Sequence, residues 1–310
     1  MSKRENYILN EKYRPDTLKG YICNEDIRAK IQEYIDKQDI VHIGIFGSPG
    51  SGKTTLAKII ANNIDCDLLY INATDERSMD VMREKVGSFA SSGTFKPLKI
   101  VILDEATHLL QASQVILLNM METYSASTRF ILTGNYPERL IDPLKSRLQE
   151  FELTPPSKRI IAEHLDNILN KEEIEHTIED IGIIVNKLYP DFRRMINSLQ
   201  KYTLNGKLVL NESLKSNIDF QNQILDELKK PSNKSITIIR QILADSGIQD
   251  YTEMYRFLYD KLSEYSKGND GAIIIKIEEY KYHSTTRLDQ EICIAALFSS
   301  ILEVNKKQII

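Results

Sequence analysis

Cysteine is scarce in this chain: Cys23, Cys66 and Cys293 are the only three among 310 residues. They are odd in number, far apart and without a C-x-x-C pair, so they read as buried or incidental thiols in a reducing cytosol. The five histidines (His42, His108, His164, His176 and His283) show no ligand spacing, and no structural metal is expected. Long apolar runs are missing too. The longest, ICIAALFSSIL at 292–302, is too short to span a bilayer and reads as a buried helix. The N-terminal stretch MSKRENYILNEKYRP has no apolar core of the signal-peptide kind. A soluble cytoplasmic protein with no membrane partner is expected. There is no excess of positive charge either. Lys and Arg number 40 against 44 Asp and Glu, a net charge of -4, so any nucleic-acid contact needs a local basic surface. Internal repeats and low-complexity segments are absent.

What is present is the composition of a globular protein, 42% hydrophobic and 27% charged, in a chain long enough for two or three domains. The first half carries short, nearly continuous apolar runs: HIGIF at 42–46, LLYIN at 68–72, KIVIL at 99–103 and RFILT at 129–133, with LQEFEL at 148–153 as a fifth. Strands buried on both faces of a parallel sheet look like this. Helical patterns lie between the first four, at 53–63, roughly 80–90 and 111–123. This alternation predicts a doubly wound α/β domain with its ligand at the carboxyl ends of the strands. TPPS at 154–157 breaks the pattern, with Ser157 placed to cap a helix starting at Lys158, and everything beyond reads as helical. YPDF at 189–192 is a second break, the polar stretch at 205–217 is a candidate linker, and the last ~90 residues read as a helical bundle.

The stretch GSPGSGKTT at 47–55 fits G-x-x-x-x-G-K-[ST] and follows the first apolar run directly. Gly47, Gly50 and Gly52 let backbone amides approach phosphate oxygens, Gly50 and Gly52 flanking Ser51. The helix near Lys53 aims its positive end at the same oxygens. Lys53 is expected to reach the β- and γ-phosphates, and Thr54, next to Thr55, to hold Mg²⁺. KIVILDEATHL at 99–109 delivers Asp104 and Glu105 at a strand end. Asp104 is placed to complete the Mg²⁺ site, and Glu105 to polarise an attacking water, which favours hydrolysis over transfer. Asn135, after RFILTG, is either a turn residue or a water-orienting group. Arg147, in DPLKSRLQEF, is either a solvated arginine or one that reaches a neighbouring subunit's nucleotide. Arg193 and Arg194 fall in the first turn of a helix, where cations are disfavoured and a phosphate partner would explain them.

In order along the first ~215 residues, EKYRP, the P-loop, YINATDERSMDVMREKV at 70–86, LDEA, ILTGNY, KSRL and DFRRMIN resemble a AAA+ ATPase, specifically a sliding-clamp loader subunit. The form YPDFRR looks most like the large ATPase subunit of the phage T4-type loader, with a replication factor C small subunit as the near alternative. The resemblance implies three domains: a P-loop ATPase domain at 1–153, a helical lid at 154–217 and a helical collar at 218–310. It implies that Asn10, Glu11, Lys12 and Tyr13, with Arg14, Pro15 and Ile22, line the adenine side of an ATP site that also uses Mg²⁺. It assigns Asn135 as sensor 1, Arg147 as a finger acting in trans and Arg193 as sensor 2. It places Arg77 and Arg83, and the loop SSGTFK at 91–96, towards DNA. The partners implied are further loader subunits in a hetero-pentamer, with several copies of this chain and a companion subunit, a sliding clamp, and primer–template DNA. Thr107, Leu118, Asn119 and Leu148 depart from the family's pattern, while Gln114 is retained.

Overall fold

The computed structural model describes residues 8–76, 78–210, 212–246, 251–284 and 289–306, and within these the side chains of all but 81, 212–219, 246 and 253. The chain forms two compact units, Met1–Val209 and Leu210–Ile310. In the first, five strands, β1 (Ile43–Gly47), β2 (Cys66–Asn72), β3 (Leu98–Asp104), β4 (Thr128–Gly134) and β5 (Gln149–Leu153), form one parallel sheet in the order β2-β3-β4-β1-β5. The apolar runs mark all five strands. The interior strand β3 is buried along its whole length, while the edge strands β2 and β5 alternate between buried and partly or fully exposed positions. Continuous apolar sequence is what a strand covered on both faces requires. One face packs Ile43, Ile45, Ile100 and Ile102 against Leu56, Ile60 and Ile31. The other packs Phe46, Val101, Leu103 and Leu132 against Leu117, Met121 and Met82.

Three helices follow the sheet. Lys158–Lys171 starts where Ser157 accepts a hydrogen bond from the Ile160 N–H, as the sequence predicts. Ile178–Leu188 is capped by Thr177 and Phe192–Tyr202 by Asp191. The expectation that everything here is helical needs correction. Asn205 (φ 51) and Gly206 (φ 75) form a tight turn between β6 (Thr203–Leu204) and β7 (Lys207–Leu208), which pair antiparallel. An Asn-Gly pair with both residues at positive φ is the preferred two-residue hairpin turn. The candidate linker is therefore part hairpin, and its end already belongs to the helix Glu212–Lys229.

The second unit is helical, as predicted. Its described helices include Glu212–Lys229, Ser235–Ser246, Thr252–Asp260, Asp270–Ser284 and Gln290–Lys306 around a core of Ile224, Leu228, Leu258, Leu297, Phe298 and Ile301. The apolar run at 292–302 supplies the buried face of the last helix. Among the described residues, no helix is long and apolar enough to cross a membrane and no cluster of His, Cys, Asp or Glu is arranged to hold a metal ion.

Candidate nucleotide site

The carboxyl ends of β1, β3 and β4 bring the sequence-predicted groups together. β1 ends at Gly47, and the loop leads into the helix Lys53–Asn62 through Gly52 at φ 92. Gly50 shows why the loop needs glycine. Its φ is 75, and a Cβ there would lie 2.2 Å from Asp191 Oδ1, so the start of the Phe192–Tyr202 helix lies directly on the loop. Lys53 is buried. Its Nζ donates to Gly47 O (3.1 Å), Ser48 O (2.9 Å) and Asn135 Oδ1 (2.7 Å), which uses all three of its protons. Asn135 in turn donates from Nδ2 to Glu105 Oε2 at 3.3 Å. Lys53, Asn135 and Glu105 thus form one chain across the site.

Asp104 lies below it, buried, and accepts from three hydroxyls on three elements. Thr54 Oγ1 donates to Oδ1 (2.8 Å), Tyr70 OH to Oδ2 (2.7 Å) and Thr133 Oγ1 to Oδ1. Glu105 follows with φ 54, a left-handed conformation that a non-glycine residue adopts at a cost, and its N–H donates to Thr133 Oγ1 at 3.1 Å. The sheet order explains the convergence, because β2 and β4 flank β3. Burial pushes the Lys53 ammonium below its usual pKa, an effect that Glu105 and Asp104 partly offset and Arg193 adds to. Burial, and then the bond to Asp104, push the Tyr70 phenol up.

Two adjoining hollows share Tyr13, Pro15, Gly50, Gly52, Thr55 and Phe192. The polar one, of about 150 Å³, is also lined by Asn10, Arg14, Lys53, Thr54, Glu105 and Arg193. The more apolar one is lined by Ile22 and Ser51, and by Pro155, Pro156, His164 and Pro190, which the sequence reading missed or took only as chain breaks. Burial, then Lys171, lower the pKa of His164, which lines this hollow. Glu11 and Lys12 do not line the cleft as the resemblance implied. Glu11 instead pairs with Arg14 (2.8 Å) and Lys12 with Glu172 (2.7 Å), while Tyr13 both lines the cleft and donates to Glu172 (2.5 Å).

Arg147 is not among the residues that line either hollow. It is exposed, donates to Pro143 O at 2.8 Å and pairs with Glu122. Arg83 is exposed on a π-helical turn, Met82–Val86, and Arg77 lies outside the described residues. Sequence reading also missed Tyr70 and Thr133. The one available signal was their position near the ends of the strands on either side of LDEA.

The site fits a nucleotide triphosphate with a hard cation. Lys53 is a buried cation whose three hydrogen bonds go to neutral oxygens, and the buried hydroxyls Ser48 Oγ and Ser51 Oγ in the same loop have no hydrogen-bond partner. Thr54 and Asp104 offer only oxygen ligands, as Mg²⁺ prefers.

Comparison with known proteins agrees with this geometry. Residues 43–156, from β1 through β5, match the family described as AAA, ATPase family associated with various cellular activities. The chain is 32% identical over 250 residues to the replication factor C small subunit of Aeropyrum pernix, covering 77% of each. It is 30% identical over 308 residues to that of Haloarcula marismortui, covering 94% of each. Among solved structures, a variant of Thermotoga maritima RuvB superposes with a TM-score of 0.55 over 80% of this chain and 91% of that one. At 18% identity, this is a likeness of fold. A P-loop cleft on a five-stranded parallel sheet, together with relatives matched over most of their length, places this chain in the replication factor C small-subunit family of AAA ATPases.

Proposed function

We propose that the chain is an ATPase subunit of a DNA sliding-clamp loader, with hydrolysis at a site shared between neighbouring subunits. The observation that carries this reading is a cluster of side chains at one cleft and an arginine outside it. Lys53, Thr54, Asp104, Glu105 and Asn135 converge on one cleft, while Arg147 stands exposed outside it. In this reading Lys53 and the loop amides bind the β- and γ-phosphates, Arg193 meets the γ-phosphate from the lid side, and Tyr13 and Ile22 enclose adenine. Glu105 accepts a proton from the attacking water, with Asn135 holding both Glu105 and Lys53 in place. Mg²⁺ bound at Thr54 and Asp104 would neutralise phosphate charge. Arg147 completes the site of the adjacent subunit.

Residues 1–153 act as the ATPase domain, 154–217 as the lid and 218–310 as the collar of a hetero-pentamer built from several copies of this chain and a companion subunit. ATP holds the subunits in a spiral that grips an open clamp. Primer–template DNA, met by Arg83 and Arg77, triggers hydrolysis, and loss of the γ-phosphate contacts releases the loaded clamp. The named relatives favour a replication factor C type of loader. The phage T4 type remains the finer alternative, because Leu118 and Asn119 stand where the resemblance places paired arginines. The test is steady-state ATP hydrolysis by the assembled subunits with and without clamp and primed DNA. Clamp and DNA together should stimulate it; no stimulation would sink the proposal.

A further inference from the structure

Tyr70 sits on the edge strand of the sheet and 41% of it is exposed, yet its hydroxyl lies 2.7 Å from Asp104 Oδ2. The register explains the reach. Asn72 pairs with Asp104 and Tyr70 with Ile102, so Tyr70 lies diagonally across from Asp104 on the same face, within range of an aromatic side chain. The Lys58 ammonium lies over its ring, 4.9 Å from the centroid. Lys58 is one turn beyond Thr54 on the helix Lys53–Asn62. Tyr70 is therefore wedged between the helix that follows the phosphate loop and the strand that carries Asp104.

We infer that Tyr70 is a positioning residue for the cation site: its hydroxyl fixes the orientation of the Asp104 carboxylate, and through it the Thr54 hydroxyl. The inference rests on the nucleotide reading above. A carboxylate on a short side chain rotates unless both of its oxygens are held. Here Thr133 holds Oδ1 from β4 and Tyr70 holds Oδ2 from β2. Thr54 gives its proton to the fixed carboxylate at 2.8 Å, which leaves the lone pairs of its oxygen free for a hard cation. Hydrogen-bond partners one layer behind metal ligands commonly change metal affinity by ~10–100-fold when removed. Tyr70 also belongs to the strand that runs directly into the Asn72–Asp75 turn, where Asn72 Nδ2 donates to Asp75 at 3.0 Å. A displacement of that turn would reach Asp104 through the same phenol.

The experiment is Tyr70→Phe in the full chain. This variant keeps the ring and its contact with Lys58 and deletes one oxygen. A fluorescent ATP analogue is titrated at equilibrium, first in EDTA and then against increasing Mg²⁺. The expected result is unchanged binding in EDTA and a Mg²⁺ half-saturation raised about tenfold. Hydrolysis by the assembled subunits should be impaired at low Mg²⁺ and recover at excess Mg²⁺. An unchanged Mg²⁺ half-saturation would overturn the inference. So would an equal loss of binding in EDTA, which would make Tyr70 a packing residue only. If the unaltered chain itself bound the analogue without any dependence on Mg²⁺, the cation assignment of Thr54 and Asp104 would fail, and this inference with it.

Discussion

Arg147→Ala separates a shared site from a self-contained one. The guanidinium is exposed, and its visible contacts are the Pro143 carbonyl and an exposed pairing with Glu122. An ion pair of that kind contributes ~0–1 kcal/mol. For a unit of this size, Met1–Val209, that shifts the melting temperature by no more than about 2–4 °C. Because Arg147 lines neither hollow of its own cleft, nucleotide affinity of the isolated subunit should not change. Hydrolysis in the assembly is another matter. An arginine supplied to the transition state by a neighbour accounts for ~10³–10⁵ in rate, or about 4–7 kcal/mol at ~1.36 kcal/mol per decade. The variant should thus melt almost normally, bind ATP normally and lose nearly all hydrolysis at the sites it faces. The assay mixes Arg147→Ala subunits with subunits carrying an intact Arg147 but Lys53→Ala. Hydrolysis should reappear where an intact nucleotide cleft meets an intact arginine, in proportion to the mixed interfaces. If the defect instead follows the variant's own nucleotide, or if the isolated variant binds ATP more than a few-fold worse, the composite-site reasoning is refuted.

Lys53→Ala should weaken ATP binding by roughly 10–150-fold, the value of a charge-assisted hydrogen bond of ~1.5–3 kcal/mol, measured by calorimetry. The fold should survive, because the substitution also removes a buried charge. Glu105→Gln keeps the shape beside Asn135 but cannot take a proton, so ATP binding should persist while single-turnover hydrolysis falls by ~10²–10⁴. His42 accepts the Phe130 N–H at 3.2 Å, and burial, then Arg129, lower its pKa to about 4. Its folded pKa lies below the unfolded one, so its neutral form contributes stability above about pH 6.5 that is lost as pH falls towards 4. After discounting for partial solvent screening, the loss is about 1–2 kcal/mol. Urea denaturation across that window should show it, and His42→Gln should flatten the slope.

How much of the site was legible depended on whether a residue acts through its neighbours in sequence or its neighbours in space. The phosphate loop, Thr54, Asp104 and Glu105 announce themselves because strand-turn-helix geometry is local and their spacing is fixed by it. Asn135 and Arg147 stayed ambiguous on spacing, since a turn asparagine and a surface arginine look the same in a string. In the structure Asn135 joins Lys53 to Glu105, and Arg147 stays clear of the cleft. Glu11 and Lys12 show the converse error. They belong to a segment that does line the cleft, but their charged ends are taken up by Arg14 and Glu172. Asn205-Gly206 carried a hairpin signal inside a stretch read as linker.

By itself the sequence determined that the chain folds as a parallel α/β unit followed by helices, because buried strands need continuous apolar residues and phosphate loops need glycine at positive φ. It also determined which side chains the loop and LDEA carry to the strand ends, and so the chemistry on offer there. Only the tertiary structure decided which elements surround that chemistry. The order β2-β3-β4-β1-β5 sets Tyr70 and Thr133 on either side of Asp104. The packing of the Phe192–Tyr202 helix onto Gly50 brings Phe192 and Arg193 to the cleft, with Pro155, Pro156 and Pro190 lining its apolar side. Strand order and helix docking are set by the burial of whole faces, a sum over many weak contacts that no short stretch of sequence contains.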